Sequence, residues 1–559
     1  MNRKKNFALF LALLSICFIL FSFSERKPRF TSTDNAPKIV NIINFIRLTE
    51  PRDANITEEV LYQTVVSQID IMRKYKLKGT FLLQYDALMD IRYQKLLKKL
   101  PSDSFDIGAW WEMPRPFVLD AGLKWRGNSS WDPRADVDFA TGYSIEERKK
   151  LADTYMKQFK KIFGHYPSSV GSWFIDAYTL NYLYKQYGIV ASCNCKDQIG
   201  TDGYTLWGGY WNQAYYPSRK NAYMPAQNAA NQIPVPIFRM LGSDPVRQYD
   251  NGVGKERQGV VTLEPVYKFG GGDSAWVHWY FNQFTQGECL NYAYVQAGQE
   301  NSFTWEAMKK GFNIQLPLIA KLRDENKIKV ETLAESGKWF LRNFKVTPPT
   351  SVTVNNDVKN DDVQTVWYDS RFYRANLLWE NGTLRFRDIH LFNENLASSY
   401  LTQKSTSTKA SFFTLPFVDG NKWSSTQMLA GMAFKAMVNG KEILIKGEKP
   451  KISGAGNQLH ISWPITSFDG MIIMDLDEEN IKIQFTGKES INWFLELTTA
   501  SGAVLPFKKI SPHQIDAEFE GMKYSINAKS GSFANASAKA VLTIQPENNQ
   551  IGLKLNTLR

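Results

Sequence analysis

The chain has 559 residues, more than one hydrophobic core usually organises, so we expect two or three domains. Its hydrophobic fraction of 43% and aromatic fraction of 14% exclude global disorder. The net charge of +12 is spread along the chain without a long basic run or a nucleic-acid-binding motif, so we expect no nucleic-acid partner.

The N-terminus has the pattern of a secretory signal. Residues 2–5 are basic, residues 7–23 are apolar without a charge, and Ser22 and Ser24 are small residues at the −3 and −1 positions of a cleavage site. We therefore expect residues 1–24 to be a signal peptide and the mature protein to be periplasmic, secreted or on the cell surface. An uncleaved anchor is the alternative, and the only membrane contact we expect, because the apolar stretch approaches the ~20 residues that span a bilayer.

Beyond the signal, strand-like segments alternate with amphipathic helices. The apolar run 38–47 predicts a buried strand, and apolar residues at helical spacing predict a helix over about residues 57–75. Further strands are predicted over residues 79–85 and 106–112. This order of elements is typical of a parallel sheet covered by helices.

The same alternation continues through the first half of the chain. A capping box at residues 144–147 begins a helix that Gly164 ends. Strand-like runs follow at 170–176, 189–193, 235–239 and 291–296. We therefore predict an irregular (β/α)7-type barrel over residues 38–345, with its reactive groups at the carboxyl ends of the strands.

After residue 345 the pattern changes. Residues 347–352 resemble a linker, and short alternating segments follow, separated by Asn-Gly at 381–382 and 439–440 and by Asp-Gly at 419–420. These signals predict an all-β sandwich domain over residues 350–559.

Three acidic residues fall at the ends of predicted barrel strands: Glu112, Asp176 and Glu300. Two carboxyl groups that face each other across a sugar are the minimum for glycoside hydrolysis, so Asp176 and Glu300 are the candidate catalytic pair. Structural alternatives remain open. Asp176 could cap the following helix, Glu112 could pair with Arg47 or Arg115, and Glu300 could precede a helix start.

Polar and aromatic residues near these acids are candidates for holding a sugar, because aromatic rings offer flat, half-apolar platforms. The loop over residues 200–231 is long and rich in Tyr, Trp, Gly and Asn, which indicates a lid or a cleft wall. The predicted substrate-binding residues are Arg47, Trp110, Trp111, Glu112, Trp173, Asp202, Trp207 and Glu264.

Several of these segments resemble known families. The segment 171–178, followed by Leu-Tyr-Lys-Gln-Tyr-Gly-Ile, resembles the fourth-strand motif of glycoside hydrolase families 57 and 38, and Asp176 matches their nucleophile. Residues 79–83 and 106–108 are similar to strands of polysaccharide deacetylases, which share that barrel. The stretch 38–344 also resembles exported, glycoside hydrolase-like proteins of gut Bacteroidetes that carry a β-sandwich after the barrel.

The chain departs from the metal-binding members of these families. Residues 44–47 and 110–112 stand where deacetylases have Asp-Asp and His-x-x-x-His, and none of the five histidines has that spacing. We therefore expect no metal and no cofactor. The resemblance to family 57 implies a metal-free, two-carboxylate mechanism in which Glu300 is the acid/base.

The sequence thus predicts an exported glycoside hydrolase that acts on an oligosaccharide or polysaccharide. Two alternatives remain: an esterase similar to polysaccharide deacetylases, and a glycan-binding protein without catalysis.

Overall fold

The computed structural model describes residues 36–249, 252–253, 255, 257–488, 490–535 and 541–557. The predicted signal peptide, residues 1–24, lies outside these ranges. Within them, no helix is long and apolar enough to span a bilayer.

The first region of the chain contains eleven strands among its described residues. In chain order they are β1 (Lys38–Ile46), β2 (Gly79–Leu83), β3 (Phe105–Trp110), β4 (Ser169–Gly171), β5 (Ala191–Asn194), β6 (Gln198–Thr201), β7 (Tyr204–Trp207), β8 (Ala214–Tyr215), β9 (Ile237–Arg239), β10 (Ala293–Ala297) and β11 (Lys329–Glu331). Seven of them run parallel in the spatial order β10-β1-β2-β3-β4-β5-β9. Strand β8 is antiparallel to β9, and β11 is parallel to β1. This curved sheet is the predicted (β/α)7-type barrel.

Ten α-helices surround the sheet in the described part of the chain. They are α1 (Glu58–Lys74), α2 (Tyr85–Met89), α3 (Ile91–Leu97), α4 (Arg115–Asp120), α5 (Ala135–Asp138), α6 (Ile145–Phe163), α7 (Ala177–Tyr187), α8 (Ser274–Gln286), α9 (Thr304–Asp324) and α10 (Leu333–Asn343). Three short 3-10 helices add to these in the described ranges, at Ala140–Gly142, Asn301–Phe303 and Ser399–Leu401.

Helix α6 shows how local sequence sets the boundaries of an element. The Ser144 hydroxyl accepts from the backbone N–H of Glu147 at 3.3 Å, and the Glu147 carboxylate accepts from the N–H of Ser144 at 2.7 Å. Gly164 ends the helix at φ 85°, a left-handed conformation that glycine adopts without strain. On the buried face, the Tyr155 hydroxyl donates to the carbonyl of Leu83 at 2.6 Å, which anchors the helix to β2.

Side chains complete the barrel where β9 and β10 are not paired as strands. The amide of Gln213 donates to the carbonyl of Tyr294 at 3.3 Å and accepts from its N–H at 2.8 Å. The Gln296 side chain accepts from the N–H of Leu241 at 2.7 Å. These amides satisfy backbone groups that an unpaired edge would leave open, so the sheet is nearly closed.

The second region consists of strands, most of which form two antiparallel sheets. In chain order they are β12 (Thr350–Val354), β13 (Gln364–Asp369), β14 (Tyr373–Glu380), β15 (Thr383–Leu391), β16 (Ala410–Phe413), β17 (Leu415–Asp419), β18 (Gly431–Val438), β19 (Lys441–Leu444), β20 (Lys451–Ala455), β21 (Gln458–Ile465), β22 (Gly470–Leu476), β23 (Asn480–Gly487), β24 (Trp493–Thr498), β25 (Phe507–Ser511), β26 (Gln514–Phe519), β27 (Met522–Ser530), β28 (Ser532–Asn535), β29 (Leu542–Gln545) and β30 (Gln550–Lys554). One sheet has the order β12-β13-β14-β15-β18-β24-β29-β28, with β17 and β19 at its sides, and the other has β20-β21-β22-β23-β30-β27-β26-β25.

The two sheets share one hydrophobic core, as a sandwich requires. Strand β21 alternates buried and half-buried residues along its whole length. Its Trp463 packs against Phe434 of β18 with ring centroids 5.7 Å apart, and Phe507 of β25 packs near Phe417 of β17 at 6.3 Å. The predicted β-sandwich is confirmed.

The sandwich region also adds a strand to the barrel region. Strand β16 pairs in parallel with β7, which pairs with β6, so the three form a small separate sheet. The loop 200–231, predicted as a cleft wall, therefore begins inside a sheet that both regions build.

A buried network of charges lies where the two regions meet. Asp197 accepts from Arg239 at 2.7 Å and from the Tyr223 hydroxyl at 2.5 Å, both in the barrel region. Arg374 of β14 pairs with Asp197 and also with Asp388 of β15, at 2.9 Å. We call these five residues the interface cluster. It joins the sandwich to the segment that immediately follows β5.

Candidate active site

Three charged residues that follow barrel strands meet in one cavity. Arg47 follows β1, Glu112 lies just beyond β3, and Glu300 lies beyond β10, all at the carboxyl ends of the strands. The cavity has a volume of about 420 Å³. Side chains from the connecting loops also line it, among them Arg52, Trp131, Asp138, Trp173, Lys196, Asp202, Tyr204, Glu264, Tyr267 and Phe303.

Glu112 is held by donors on both of its oxygens. The Arg47 guanidinium donates through Nε to Oε2 at 2.9 Å and through Nη2 to Oε1 at 2.5 Å. Gln84 donates to Oε2 at 2.8 Å, and the indole N–H of Trp173 donates to Oε1 at 3.0 Å. Such a two-point pair fixes the geometry of both partners, so Glu112 holds Arg47 in one orientation.

The same guanidinium reaches a second acid. Arg47 Nη1 lies 2.8 Å from Oε2 of Glu300, and the Ser302 hydroxyl donates to Oε1 of Glu300 at 2.6 Å. Burial raises the pKa of Glu300 above its ordinary value, although the charge of Arg47 acts in the opposite direction. Burial also acts to lower the pKa of Arg47, but the charges of Glu112 and Glu300 outweigh it and raise that pKa. One cation therefore bridges two carboxyl groups.

Burial shifts the pKa of two further acids that lie close to this cation. Asp138 lines the cavity and is 1% exposed. Burial, followed by the negative charge of Glu112, raises the pKa of Asp138 well above its ordinary value. Burial likewise raises the pKa of Asp86, at the start of α2, to about 7. The site thus combines acids paired with a cation and acids whose pKa is raised by burial.

Two other groups of polar side chains stand at the cavity walls. The Glu264 carboxylate accepts from the amide of Gln299 at 2.7 Å and from the hydroxyl of Thr262 at 2.6 Å. Lys196 donates to the amide oxygen of Gln198 at 3.0 Å. These side chains place acceptors and a cation around the space, as recognition of hydroxyl groups requires.

Trp131 supports the central cation. The guanidinium carbons of Arg47 and Arg52 lie 4.3 and 4.5 Å from the centroid of its ring. Arg52 is in turn paired with Glu50 at 2.5 Å. Because guanidinium groups use the ring as a cation–π partner, Trp131 orients Arg47 instead of offering an open platform.

The cavity brings together six of the residues that the sequence singled out. Asp202 is at the rim, in the tight turn between β6 and β7, and has a φ of 54°. The other five lie on the walls or floor. The six are Arg47, Glu112, Trp173, Asp202, Glu264 and Glu300.

Asp176 requires a correction. It is the N-cap of α7 and accepts from the N–H of Thr179 at 2.9 Å and from its hydroxyl at 2.6 Å. It also pairs with Arg148 at 3.0 Å, and each of these charged side chains is 1% exposed. Asp176 is not among the described residues that line the cavity. Glu300 therefore lines the cavity and Asp176 does not, and Asp176 makes the contacts that the capping alternative predicts.

Three of the predicted sugar-binding tryptophans also lie elsewhere. Trp110 is enclosed inside the barrel, stacked on Phe45 with centroids 4.1 Å apart. Trp111 packs outside the sheet near Tyr155, because consecutive strand residues point to opposite faces. Trp207 is buried at the sandwich, where its indole N–H donates to Asp419 at 2.9 Å. Trp110 and Trp111 stand at the end of β3 as predicted, but all three rings are buried and none lines the cavity.

The lining residues that the sequence analysis did not single out include Asp138, Trp131, Lys196 and Tyr204. Asp138 and Trp131 come from the connection between β3 and α6, which has no strand or long helix to predict its path. Lys196 directly follows β5, so the rule that placed Glu112 at a strand end could have found it.

A divalent metal ion of the deacetylase type does not fit this site. The space between the carboxyl groups of Glu112 and Glu300 holds the guanidinium of Arg47, which is itself a cation. None of the described lining residues is His or Cys, and no group of three or more metal-ligating side chains occurs in the described part of the chain.

No protein-family model matches the chain, and no curated protein matches it in sequence. Among solved structures, it is similar to a candidate glycoside hydrolase/deacetylase from Parabacteroides distasonis, at 14% identity and a TM-score of 0.49, over 67% of this chain and 88% of that one. A candidate polysaccharide deacetylase from Mycobacterium smegmatis has 12% identity and a TM-score of 0.35, over 57% and 94% of the two chains. A family 57 branching enzyme from Thermococcus kodakaraensis has 9% identity and a TM-score of 0.29, over 55% and 71%. The structures similar to this chain thus include both groups that its strand motifs resemble.

Proposed function

We propose that the cavity hydrolyses a glycosidic bond through two carboxyl groups and without a metal ion. The observation that carries the proposal is the Arg47-bridged pair of Glu112 and Glu300 at the carboxyl end of the barrel. This arrangement places carboxyl groups inside one cavity, and two carboxyl groups in one cavity are the minimum for glycoside hydrolysis.

Glu300 is the proposed working carboxylate. Its two contacts, Ser302 and Arg47, leave it 4% exposed at the cavity surface, whereas Glu112 is 0% exposed and has four donors. A carboxylate with a raised pKa is a stronger base than a surface one, so Glu300 suits the removal of a proton from attacking water. Glu112 then serves to hold Arg47 and, through it, Glu300.

Sugar is the substrate class that the walls support. The side chain of Tyr267 is half-buried and that of Phe303 is 40% exposed, so rings are available to stack on the apolar faces of a sugar. Glu264, Asp202 and Lys196 add acceptors and a donor for hydroxyl groups. The volume of about 420 Å³ suits a small number of sugar units and not a long chain segment.

We also propose that the protein is exported, on the strength of the basic, apolar and small-residue pattern over residues 1–24. Sequencing of the N-terminus of the protein made in a bacterial host tests this. A mature N-terminus at Glu25 supports cleavage, and a retained Met1 in a membrane fraction supports the anchor instead.

The experiment on activity uses the wild type and Glu300→Gln against a panel of plant, host and bacterial glycans, with new reducing ends as the readout. We expect the wild type to cleave at least one glycan and the variant to lose at least about 100-fold in rate, since it cannot accept a proton. Glycan binding by both proteins without any cleavage would contradict the hydrolase and indicate a binding protein.

A further inference from the structure

Asp138 differs from the other acids of the cavity in what its side chain contacts. Its backbone is fixed, because the N–H donates to the carbonyl of Arg134 at 2.9 Å and the carbonyl accepts from the N–H of Met113 at 2.9 Å. Its carboxyl oxygen Oδ1 is buried and has no hydrogen-bond partner among the described residues. An unpaired buried polar atom costs about 1–3 kcal/mol and is retained mainly where it has a use.

Glu112 and Glu264 have donors on both oxygens, whereas Oε2 of Glu300 also lacks a hydrogen bond among the described residues and has only its ion-pair contact with Arg47. Glu112 accepts four hydrogen bonds, Glu264 accepts from Gln299 and Thr262, and Glu300 contacts Ser302 and Arg47. Donors on both oxygens suit a carboxylate that stays ionised and holds its place. Asp138 lines the cavity, and its carboxyl group has an oxygen without a donor and no ion pair among the described residues, which suits a group that gives its proton to a ligand.

The surroundings of Asp138 also favour the neutral form. Burial and the charge of Glu112 raise its pKa, while the cation of Arg47 and the nearby indole of Trp131 act in the opposite direction without outweighing them. From the side of α6, Tyr143 faces it with a neutral phenol whose own pKa burial raises. A carboxyl group whose pKa is raised by burial, in the same cavity as a carboxylate paired with a cation, is the arrangement that divides an acid from a base.

We propose that Asp138 is the general acid of this site, a role that rests on the proposed function. Its carboxyl proton moves to the glycosidic oxygen while the bond from that oxygen to the anomeric carbon breaks, and the leaving sugar departs as an alcohol. The oxygen of a water molecule bonds to the anomeric carbon and gives its proton to Glu300. Solvent then returns a proton to Asp138 and removes one from Glu300. The net reaction is that one glycoside and one water molecule give two free sugars.

The kinetic test varies how much the leaving group needs a proton. The probes are 2,4-dinitrophenyl glycosides of common hexoses, pentoses and N-acetylhexosamines, each beside the disaccharide of the same sugar. We expect Asp138→Asn to lose about 100- to 10,000-fold in kcat on the disaccharide and less than about 10-fold on the dinitrophenyl glycoside. Equal losses on both probes, or none on the disaccharide, would overturn the assignment.

Two further variants separate the possible failures. Asp136→Asn alters a carboxylate on the same short helix that lies 3.9 Å from Arg134, so both rates should stay within about 3-fold of wild type. Glu300→Gln should lower turnover of both probes. If turnover depends on Glu300 but not on Asp138, the general acid is wrong and the hydrolase stands. If the wild type cleaves no probe, the hydrolase fails and the acid role fails with it.

A spectroscopic measurement tests the resting state without any substrate. Infrared difference spectra of the wild type minus Asp138→Asn at pH 7 should show the carbonyl stretch of a protonated carboxyl group. Since asparagine resembles the neutral acid in shape and charge, the variant should fold, and its unfolding temperature checks this. A difference spectrum with only ionised carboxylate bands would overturn the proposal.

Discussion

The molecule contains two buried clusters of arginine and carboxylate, and they are built differently. In the interface cluster, both oxygens of Asp197 and of Asp388 accept hydrogen bonds from charged or hydroxyl donors. In the cavity, Arg47 bridges Glu112 and Glu300, but Asp138 beside them keeps an oxygen without a donor among the described residues. In the interface cluster it is Nε and Nη1 of Arg239 that lack a partner among the described residues, whereas in the cavity it is carboxyl oxygens that lack a donor, and such oxygens can act on a ligand.

The protonation states follow the same division. Burial acts to raise the pKa of Asp197, but the charges of Arg374 and Arg239 outweigh it and lower that pKa. In the cavity, burial prevails and raises the pKa of Asp138 and of Glu300. We infer that the interface cluster stabilises the fold. The buried acids of the cavity, Asp138 and Glu300, are less favourable to stability, and we infer that they are kept for a chemical role.

The largest expected effect is on stability at the interface. Arg374→Met leaves the buried charges of Asp197 and Asp388 without their shared cation, and should lower the free energy of unfolding by about 3–5 kcal/mol. Urea unfolding measures it. The control Lys309→Met breaks an exposed pair with Glu306 and should change the value by less than about 0.5 kcal/mol. Similar losses in the free energy of unfolding of the two variants would contradict the claim that the buried pair stabilises the fold more than the surface pair.

Near the cavity, the raised pKa of Asp86 should make the free energy of unfolding fall as the pH rises. This is opposite to the effect of the lowered pKa of Asp197 in the interface cluster. Because the pKa of Asp86 is raised to about 7, the native state keeps its proton between about pH 4 and 7 while the unfolded chain loses it. Its contribution is therefore complete below pH 4 and is lost as the pH rises towards 7, at up to about 1.4 kcal/mol per pH unit. Asp86→Asn lacks this slope, so the difference in the free energy of unfolding between wild type and variant should change with pH, and parallel plots of stability against pH would contradict this.

Asp176→Asn should separate the capping residue from the cavity. The variant loses the charge that pairs with buried Arg148 but keeps an oxygen for the N–H of Thr179, so we expect a loss of about 1.5–3 kcal/mol in stability. Below its unfolding temperature, its rate on any glycan that the wild type cleaves should stay within about 3-fold. A rate loss without a stability loss would restore Asp176 as a catalytic candidate.

The smallest expected effects come from two tryptophans that make closely matched hydrogen bonds. Trp173 and Trp207 each donate an indole N–H to a buried carboxylate, Glu112 in the cavity and Asp419 at the sandwich. Changing either to Phe removes one such bond, worth about 1–2 kcal/mol. We expect Trp207→Phe to lower stability alone and Trp173→Phe to lower turnover as well, by calorimetry and initial rates. Equal losses of turnover in the two variants would contradict the different roles assigned to Trp173 and Trp207.

The order of the barrel strands could be predicted because each strand is a buried apolar run with a helix or loop after it. That order alone placed Arg47, Glu112 and Glu300 at one end of the sheet, since the carboxyl ends of parallel strands share an edge. Helix α8, Ser274–Gln286, was not predicted, although Trp276, Val277, Tyr280 and Phe281 have the spacing of one buried helical face.

The rest of the site depends on long-range packing. Asp138 reaches the cavity through an irregular connection, and Trp207 leaves it because the sandwich covers the ring. Asp176 stands at a strand-to-helix corner, where an acid can cap or catalyse, and the approach of Arg148 from α6 decides between the two. Sequence spacing carries no information on that approach.

The most direct test of the central claim compares Glu300→Gln with Asp176→Asn on the same glycan pool, with released sugars detected by NMR at a temperature where both variants are folded. The cavity account predicts that Asp176→Asn releases the same products as the wild type and that Glu300→Gln releases none. Products from Glu300→Gln at the wild-type rate, with none from Asp176→Asn, would contradict it.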